Sequence, residues 1–433
     1  MALVADRSVL LGTENAFKIG PHIQRVADAG HRVIRCNLGE PDFPLPAHIR
    51  DEVKRQLDAD NTHYCDPQGV LPLREAIARD MGAKRGLDIG PDRVCVFAGA
   101  KPPIGFAEQT YCNPGDEVIY PSPGFPIYES FVRYVGAKPV PLQLEEGAGF
   151  SFGAEELEPL ITDRTKLIIL NFPSNPTGGV ATEDQLAGIA EVINSKAPPD
   201  VRVYSDEVYE SILFDGAEHH SIASQPGMPE RTIIVSGVSK TYSWTGGRIG
   251  WAVLPTVDET AIFKNLNINY VSCVPAYNQM GAKLGIESPE SEIAIRTMTT
   301  AFQQRRDMIV ERLNAIPGVS CHNPGGAFYV FPNIEGVCEN LDLIALHESL
   351  PDDVRAGSSP STIFQMFLLY SYHLAVMDRR SFGSIGSDGR HFLRLSIATG
   401  IDDLREAVDT IAQAAQDRAG LARFMQEEAP PWN

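Results

Sequence analysis

The stretch KLIILNFPSNPTGG, residues 166–179, joins an apolar run to a segment rich in proline and glycine. Residues 167–170 are apolar at four successive positions, which is typical of a β-strand that helices cover on both faces. The prolines and glycines that follow exclude a regular helix or strand and place Asn175 in a rigid turn. The stretch therefore predicts a buried parallel strand that ends at a polar loop.

Further short apolar runs occur between residues 90 and 255, and segments with helical periodicity separate them. The predicted strands span residues 93–98, 116–121, 137–144, 166–172, 201–205, 232–236 and 247–254. Strands that alternate with helices favour an α/β fold. We therefore expect a large domain in which a mostly parallel seven-stranded sheet lies between helices.

The two ends of the chain differ in pattern from its centre. Helical patterns occupy residues 18–30, 71–86, 291–316, 362–376 and 402–417, and strand-like runs occupy residues 325–332 and 391–398. We expect an N-terminal arm with part of a small domain in residues 1–46, a large domain in residues 47–290, and a small C-terminal domain in residues 291–433. The smaller α+β domain is then built from both chain ends, and the tail from residue 423 is expected to fray.

Composition restricts the class of partner. The 433 residues are 43% hydrophobic, so the chain is long enough to bury a sizeable core. The formal net charge of −19 argues against nucleic acid and anionic membranes as partners, because both select basic surfaces. Seven dispersed cysteines without a CxxC pair are typical of reduced thiols. The first residues do not form a signal peptide, so the expected location is cytoplasmic.

Side chains suited to a ligand follow several of the predicted strands. In an open parallel sheet, ligands bind beyond the carboxyl ends of the strands, so these side chains are expected to meet there. Backbone N–H groups at a helix start favour an anion, and the other strand ends offer an aromatic ring, an amide, a carboxylate and a phenol. Each of these residues could instead be a cap, turn or core residue, but their joint placement favours one site. The residues are Gly99, Ala100, Lys101, Phe125, Asn175, Asp206 and Tyr209.

The loop SGVSKTYSWTGGR, residues 236–248, collects small, hydroxylated and basic side chains after the next strand. It fits a solvated turn, because lysine and glycine are common in loops. It also fits a site in which Arg248 holds the phosphate of a cofactor and Lys240 reacts with that cofactor. The loop alone leaves both interpretations open.

Over nearly its full length, the chain resembles the class I/II family of fold-type I aminotransferases, which depend on pyridoxal 5′-phosphate. The resemblance rests on NLGEPDFPLP, THYCDPQGVLPLREAIA, FAGAK, NPGDEVIYPSPGFPIY, NFPSNPTGG, YSDEVY, SGVSKTYSWTGGRIGW, PGGAFYVFP and FLRLSIA. Their order and rough spacing make the match specific, although no single motif suffices. The resemblance implies an enzyme that moves an amino group between an L-amino acid and a 2-oxo acid by a ping-pong mechanism, without a metal.

The resemblance also implies how a large cofactor-binding domain holds the cofactor ring. Lys240 is expected to form a Schiff base with the cofactor aldehyde and later to move the substrate proton. Asp206 is expected to pair with the pyridine nitrogen and keep it protonated. Asn175 and Tyr209 are expected to bond the phenolic oxygen, and Phe125 to stack on the ring. Lys240, Asp206 and Tyr209 form the expected catalytic set.

The phosphate and the oligomeric state follow from the same resemblance. Ser239, Arg248 and the backbone N–H groups of Ala100 and Lys101 are expected to hold the phosphate. Tyr64 is expected to reach the phosphate of the cofactor in a neighbouring subunit. This reach makes a homodimer with shared active sites part of the prediction.

Three residues are expected to bind the substrate. Arg394 in HFLRLSIA is expected to clamp the α-carboxylate with two parallel hydrogen bonds, a geometry that lysine does not offer. Without the resemblance, a strand arginine of this kind would be interpreted as exposed. Gly39 is expected to approach the same carboxylate through its backbone, and Asn175 to contact the substrate as well.

Several positions depart from the family pattern or stay ambiguous. Relatives commonly have tryptophan where this chain has Gly247, so we expect altered packing and open space near the phosphate or the dimer contact. Arg379 and Arg380 replace a common Pro-Gly pair, and they fit either a solvated turn or a preference for an anionic substrate. Lys101 serves the phosphate through its backbone or, as in some relatives, meets the distal carboxylate of an acidic substrate.

Two alternative functions remain open at this point. The first is another reaction of an amino acid on this fold, namely that of a β-lyase, cyclase, decarboxylase or oxidase. The second is a ligand-sensing domain without catalysis, against which the intact set Lys240, Asp206 and Arg394 argues. His219 and His220 lack partners at metal-ligand spacing and are interpreted as a solvated loop.

Overall fold

The computed structural model describes residues 3–12 and 14–428. Within them the strands are β1 (Ile34–Arg35), β2 (Val94–Phe97), β3 (Glu117–Ser122), β4 (Lys138–Gln143), β5 (Thr165–Asn171), β6 (Arg202–Asp206), β7 (Thr232–Gly237), β8 (Gly250–Val253), β9 (Tyr329–Val330), β10 (Leu374–Ala375), β11 (Met377–Asp378) and β12 (Leu393–Ser396).

The helices of the described residues cover the faces and ends of the sheets. The α-helices are α1 (Asn15–Lys18), α2 (Gly20–Asp28), α3 (Ala47–Asp58), α4 (Leu71–Arg85), α5 (Pro102–Tyr111), α6 (Ile127–Tyr134), α7 (Ala154–Leu157), α8 (Glu183–Lys196), α9 (Val238–Thr241), α10 (Val257–Val271), α11 (Ala276–Glu287), α12 (Pro289–Asn314), α13 (Glu335–Asn340), α14 (Leu343–Glu348), α15 (Asp352–Gly357), α16 (Pro360–Tyr372), α17 (Ile401–Ala414) and α18 (Arg418–Glu427). Short 3₁₀ helices span Asp6–Val9, Pro91–Arg93, Glu146–Ala148, Glu158–Leu160, Ile222–Ser224, Thr245–Gly247 and Arg379–Phe382.

A seven-stranded sheet in the order β2-β8-β7-β6-β5-β3-β4 forms the centre of the molecule. Its strands pair in parallel except β8, which runs antiparallel to both β2 and β7. Side chains of β5 alternate between two separate cores: Ile168 and Leu170 pack into one, and Leu167 and Ile169 into the other. Both faces of the strand are therefore covered, which confirms the predicted mostly parallel α/β sheet.

Two smaller sheets lie outside the central one. β11, β12 and β9 form an antiparallel three-stranded sheet, and β1 pairs in parallel with β10. Because β1 precedes the central sheet in the chain and β10 follows it, this pairing joins the two ends of the sequence. The predicted domain boundaries at residues 46 and 290 stay predictions. In the part of the chain that the structure describes, no helix is both long and apolar enough to cross a membrane.

Element ends differ from the predictions where local chemistry overrides periodicity. The predicted helix at 18–30 corresponds to α2 (Gly20–Asp28), and Lys18 instead ends α1, because Pro21 begins a new helix at its first turn. The predicted fraying from residue 423 is wrong for residues 423–427, which belong to α18. Asp417 accepts a hydrogen bond from the Gly420 N–H at the start of α18, and Leu421 and Phe424 are buried. Residues 429–433 of that tail lie outside the described residues.

Candidate active site

A cavity of about 450 Å³ opens beyond the carboxyl ends of β5, β6 and β7. Of the residues predicted to bind cofactor or substrate, all but Tyr64 line it. They are Gly39, Ala100, Lys101, Phe125, Asn175, Asp206, Tyr209, Ser239, Lys240, Arg248 and Arg394. Tyr64 lies elsewhere on the surface of the chain, with 89% of its area exposed.

Lys240 projects into this cavity from α9, the single helical turn that directly follows β7. Its Nζ donates a hydrogen bond of 2.5 Å to the backbone carbonyl of Gly39. Burial lowers the pKa of Lys240 to about 8, because removal from water disfavours the ammonium form. The free, nucleophilic amine is therefore reached much closer to neutral pH than in an ordinary lysine.

Asp206 ends β6 and is buried at the base of the cavity. Burial raises the pKa of its carboxyl to about 6, and a 2.7 Å hydrogen bond from the Tyr128 hydroxyl opposes that rise. The Val208 N–H also donates to Asp206, at 3.4 Å. Sequence reasoning missed Tyr128, although it is the last residue of the quoted motif NPGDEVIYPSPGFPIY and lies one helical turn beyond Phe125.

Arg394 lies on β12 with its guanidinium between two aromatic rings. Its Cζ is 4.7 Å from the ring centroids of both Tyr329 and Phe382. Nη1 donates to Asn175 Oδ1 at 3.1 Å, and Nη2 donates to the Asn37 carbonyl. Nε is buried and has no hydrogen-bond partner among the described residues. The structure therefore presents a rigid cation with an unused donor beside the cavity.

Tyr209 and Tyr329 form a second polar pair in the lining. Their hydroxyl oxygens are 2.7 Å apart, and both side chains are buried. A Cβ atom at residue 39 would lie 2.0 Å from the Tyr329 hydroxyl, so only glycine fits there. Sequence reasoning missed Tyr329, which lies within the quoted motif PGGAFYVFP but follows no strand of the central sheet.

The opposite end of the cavity gathers groups that bind anions. Ala100 and Lys101 precede the first turn of α5, whose N–H groups point away from the helix. Arg248, with a φ of 52°, donates to the backbone carbonyls of Thr245 at 2.8 Å and Ala98 at 3.0 Å. A Cβ atom on Gly99, whose φ is +93°, would lie 2.3 Å from Arg248 Nη2. Glycine at that position therefore lets the guanidinium reach the helix start.

Lys101 has a partner that the sequence did not indicate. Its Nζ forms an ion pair with Glu14, and it lies 5.5 Å from the centroid of the Phe125 ring. Glu14 lines the same cavity. Because 87 residues separate Glu14 from Lys101 and no motif includes Glu14, sequence patterns gave no signal for this contact.

The expectation of open space at Gly247 is wrong. A Cβ atom on Gly247 would lie 2.3 Å from Cε2 of Trp244, because the Trp244 indole packs against that glycine. The same indole also approaches α11, since a Cβ atom on Gly281 would lie 3.1 Å from Trp244 Cη2. The Trp244 indole thus takes the place of the indole that the family pattern puts at residue 247.

Arg379 does not form a solvated turn, which corrects one of the two interpretations of Arg379 and Arg380. It is 1% exposed and donates to the Gly383 carbonyl at 3.0 Å and to Ser122 Oγ at 3.1 Å. Burial lowers the pKa of Arg379 to about 10. Arg380 Nη2 donates to the Ala356 carbonyl at 2.5 Å. Neither arginine lines the cavity that holds Lys240 and Arg394, so no contact supports a role with an anionic substrate.

The statement that His219 lacks partners is also wrong. His219 Nε2 lies 2.8 Å from Glu207 Oε2, and Glu210 completes a group whose ligand-type atoms lie within 4.8 Å of one another. Arg85 forms ion pairs with both of these carboxylates. The guanidinium therefore balances their charge, and the cluster is a buried ion-pair network of the chain itself.

Comparison with known proteins gives the family. The sequence profile described as "Aminotransferase class I and II" matches residues 32–411. The aspartate/prephenate aminotransferase of Cereibacter sphaeroides is 35% identical over 408 residues, which cover 94% of this chain and 97% of that protein. A structure of the aspartate aminotransferase from Rhizobium meliloti matches with a TM-score of 0.84 at 31% identity, over 96% of this chain and 99% of that one. The aromatic aminotransferase of Pyrococcus horikoshii matches with a TM-score of 0.80 at 32% identity, over 92% of this chain and 100% of that one. The chain belongs to the class I and II aminotransferase family.

The protein is accordingly a transaminase that depends on pyridoxal phosphate, as enzymes of this family do. When bound, this cofactor supplies an electron sink for the electrons released at the substrate Cα. The described residues fit such a group, because the glycine at residue 99 keeps the anion-binding corner open and Asp206 offers a buried carboxylate. The unused Nε of Arg394 leaves a donor for a second anionic group.

Proposed function

We propose that Lys240, Asp206 and Arg394 form the centre of a site that transfers the amino group of an L-amino acid to a 2-oxo acid in a ping-pong cycle. One observation carries the proposal: an amine with a pKa of about 8, a buried carboxylate and a partly unpaired guanidinium share one cavity. Catalysis by this set requires a base, a charge partner for the cofactor and a clamp for the substrate, and the three side chains supply these in that order.

Four side chains and the lysine act on the cofactor ring and the reacting atoms. Lys240 Nζ would hold the cofactor covalently and, as a free amine, would move the proton at the substrate Cα. Asp206 holds the proton on the ring nitrogen. Asn175 and Tyr209 donate hydrogen bonds to the phenolic oxygen, and the Phe125 ring covers one face.

The remaining lining residues bind the two anionic ends. Ser239, Arg248 and the backbone N–H groups of Ala100 and Lys101 hold the phosphate; support comes from their shared cavity and from the bond of Arg248 to the Ala98 carbonyl just before α5. At the other end, Arg394 binds the substrate α-carboxylate, since its guanidinium is held rigidly and retains a free Nε. Gly39 approaches that carboxylate through its backbone, and Asn175, bonded to Arg394, contacts the substrate beside it.

A homodimer completes the site, with Tyr64 of the partner subunit reaching the phosphate. Support comes from exposure: Tyr64 is 89% exposed in the single chain, and α10 carries exposed Ile262, Ile268 and Tyr270. Exposed large apolar side chains on one helix are typical of a surface that a partner molecule covers. Sedimentation should give twice the chain mass, and Tyr64→Phe should weaken cofactor binding. A monomer with full cofactor affinity would contradict this part of the proposal.

We also infer the domain boundaries at residues 46 and 290 and a cytoplasmic location. The pairing of β1 with β10 supports a small domain to which both chain ends contribute. All seven cysteines are free thiols in the described residues, which suits a reducing compartment.

A panel of amino donors with 2-oxoglutarate and pyruvate as acceptors tests the proposed reaction. The expected result is oxo-acid formation from the donor that depends on the acceptor, together with conversion of the bound cofactor to its amine form by the donor alone. Relatives are named for aspartate, prephenate and aromatic substrates, so the panel should include acidic, aromatic and aliphatic donors. Ammonia or peroxide without acceptor-dependent exchange would instead indicate a lyase or an oxidase.

A further inference from the structure

Glu14 places a carboxylate inside the proposed active site. It lies on the N-terminal segment, pairs with the ammonium group of Lys101 and lines the same cavity as Lys240 and Arg394. Its side chain is 18% exposed, whereas that of Lys101 is 43% exposed. The carboxylate therefore belongs to the cavity wall and not to the open surface.

Among the described residues, four cationic side chains line the cavity, and the proposed function uses three of them. Lys240 reacts with the cofactor, Arg248 faces the phosphate, and Arg394 faces the α-carboxylate. The ammonium group of Lys101 is the cation left for the side chain of a substrate. Glu14 already neutralises it.

We propose that Glu14 determines donor specificity: by occupying the ammonium group of Lys101, it favours amino donors with uncharged side chains over dicarboxylic donors. The proposal rests on the proposed function of the site. A dicarboxylic donor would have to displace Glu14 from Lys101 and leave two carboxylates close together, and like charges repel strongly where water is scarce. Selection then comes from a repulsive group as well as from attractive contacts.

An uncharged donor leaves the ion pair intact. Two aromatic rings flank Lys101, whose Nζ lies 6.0 Å from the ring centroid of Phe17 and 5.5 Å from that of Phe125, and Leu38 lines the same cavity. Such surfaces suit an aliphatic or aromatic side chain. In the part of the cavity wall that the structure describes, the Lys101 ammonium group is already paired with Glu14 and is not free for a second carboxylate.

The test compares isosteric donors on the full-length holoenzyme. Single-turnover absorbance changes of the bound cofactor give kcat/KM for aspartate against asparagine and for glutamate against glutamine. We expect the wild type to prefer the neutral member of each pair, and Glu14→Gln to shift the ratio toward the acid by about tenfold or more. Glu14→Asp, which keeps the charge, should retain the wild-type preference. A wild type that prefers the acids, or a ratio unchanged in Glu14→Gln, overturns the proposal.

Equilibrium binding separates this effect from catalysis. Succinate and its isosteric mono-amide, succinamate, bind without reacting, and titration calorimetry gives their Kd values. Glu14→Gln should tighten succinate binding by about tenfold and leave succinamate within about twofold. In Glu14→Gln/Lys101→Gln that gain should vanish, because no ammonium group is left to receive the carboxylate.

A matched control uses Glu40, another carboxylate in the lining. Glu40 accepts a hydrogen bond from Thr245 and does not contact Lys101, so Glu40→Gln should leave the succinate-to-succinamate ratio unchanged. A gain in Glu40→Gln equal to that in Glu14→Gln would contradict a specific role for Glu14.

If no donor converts the cofactor, the proposed function fails. If both donor classes convert it with a ratio insensitive to Glu14, the specificity proposal alone fails.

Discussion

The Tyr128 hydroxyl donates a 2.7 Å hydrogen bond to the Asp206 carboxylate and so ties α6 to the end of β6. Both side chains are buried, and burial raises the pKa of Asp206 to about 6. The bond opposes that rise because it stabilises the ionised carboxylate. Tyr128 thereby helps to keep Asp206 negatively charged near neutral pH.

Replacement of Tyr128 should change the pH range over which the apoenzyme binds the cofactor. In its proposed role, Asp206 holds a protonated ring nitrogen only when ionised, so cofactor affinity should fall as the pH drops through the pKa of Asp206. Tyr128→Phe removes a stabilising donor and raises that pKa, so the acid-side loss should move upward by about one pH unit or more. The measurement is the Kd for pyridoxal phosphate between pH 5 and 9. Tyr120→Phe is the control, because Tyr120 bonds Glu129 instead; identical profiles for both variants would contradict the role of Tyr128.

Arg394→Lys should weaken the binding of every substrate that carries an α-carboxylate. Lysine keeps the charge but loses the paired donors and the contact with the rings of Tyr329 and Phe382. The KM values of donor and acceptor should both rise by about tenfold to a hundredfold. Steady-state kinetics with Arg390→Lys provide the comparison, because Arg390 pairs with Glu145. KM values for Arg394→Lys that match those of this control would contradict the assignment.

Gly247→Ala should destabilise the protein through contact with Trp244. The new Cβ atom would lie 2.3 Å from the indole, so the indole or the backbone must move. We expect the free energy of unfolding to fall by about 1–3 kcal/mol, as in other overpacked sites. Gly246→Ala is the matched control, because a Cβ atom there meets nothing within 4 Å.

The Trp244→Ala background tests whether the indole is the cause. In that background the cost of Gly247→Ala should largely disappear, since the clashing group is gone. Denaturant unfolding of the four proteins in the cycle gives the interaction free energy. Equal costs of Gly247→Ala in both backgrounds would show that Trp244 does not fill this space.

Glu108 should make the enzyme less stable as the pH rises. Its carboxyl is fully buried on α5 without a hydrogen-bond partner among the described residues, and burial raises its pKa well above the usual value. Above pH ~4.3 the unfolded chain releases this proton, whereas the folded chain keeps it. The free energy of unfolding therefore falls by about 1.4 kcal/mol for each further pH unit, until the pH reaches the pKa of Glu108 in the folded state.

Glu108→Gln removes the ionisable group, so folding no longer takes up a proton at this position. Its free energy of unfolding should therefore exceed that of the wild type by an amount that grows from pH 5 to pH 8. Chemical denaturation across this range measures the difference, with Glu75→Gln at an exposed position of α4 as the control. A difference that stays constant with pH would mean that Glu108 ionises normally in the folded state.

The sequence predicted the sheet and the position of the cavity because both follow from short-range patterns. Successive apolar residues mark buried strands, and the residues after each strand lie at one edge of the sheet. Contacts between distant segments left no such pattern, which is why Glu14 beside Lys101 and Tyr128 beneath Asp206 were missed. The Gly247 departure was visible in the sequence, but the filling of its space by Trp244 depends on side-chain packing. The roles of the site residues and the part of Tyr64 in a dimer stay predictions.

We propose Lys240 as the amine that binds the cofactor, because it carries a lowered pKa and lies in one cavity with Asp206 and Arg394. Borohydride reduction of the holoenzyme, followed by peptide mass spectrometry, tests this most directly. We expect a single reduced cofactor adduct on Lys240, loss of the visible absorbance, and no adduct in Lys240→Ala. An adduct on another lysine, or an adduct that persists in Lys240→Ala, would contradict the account.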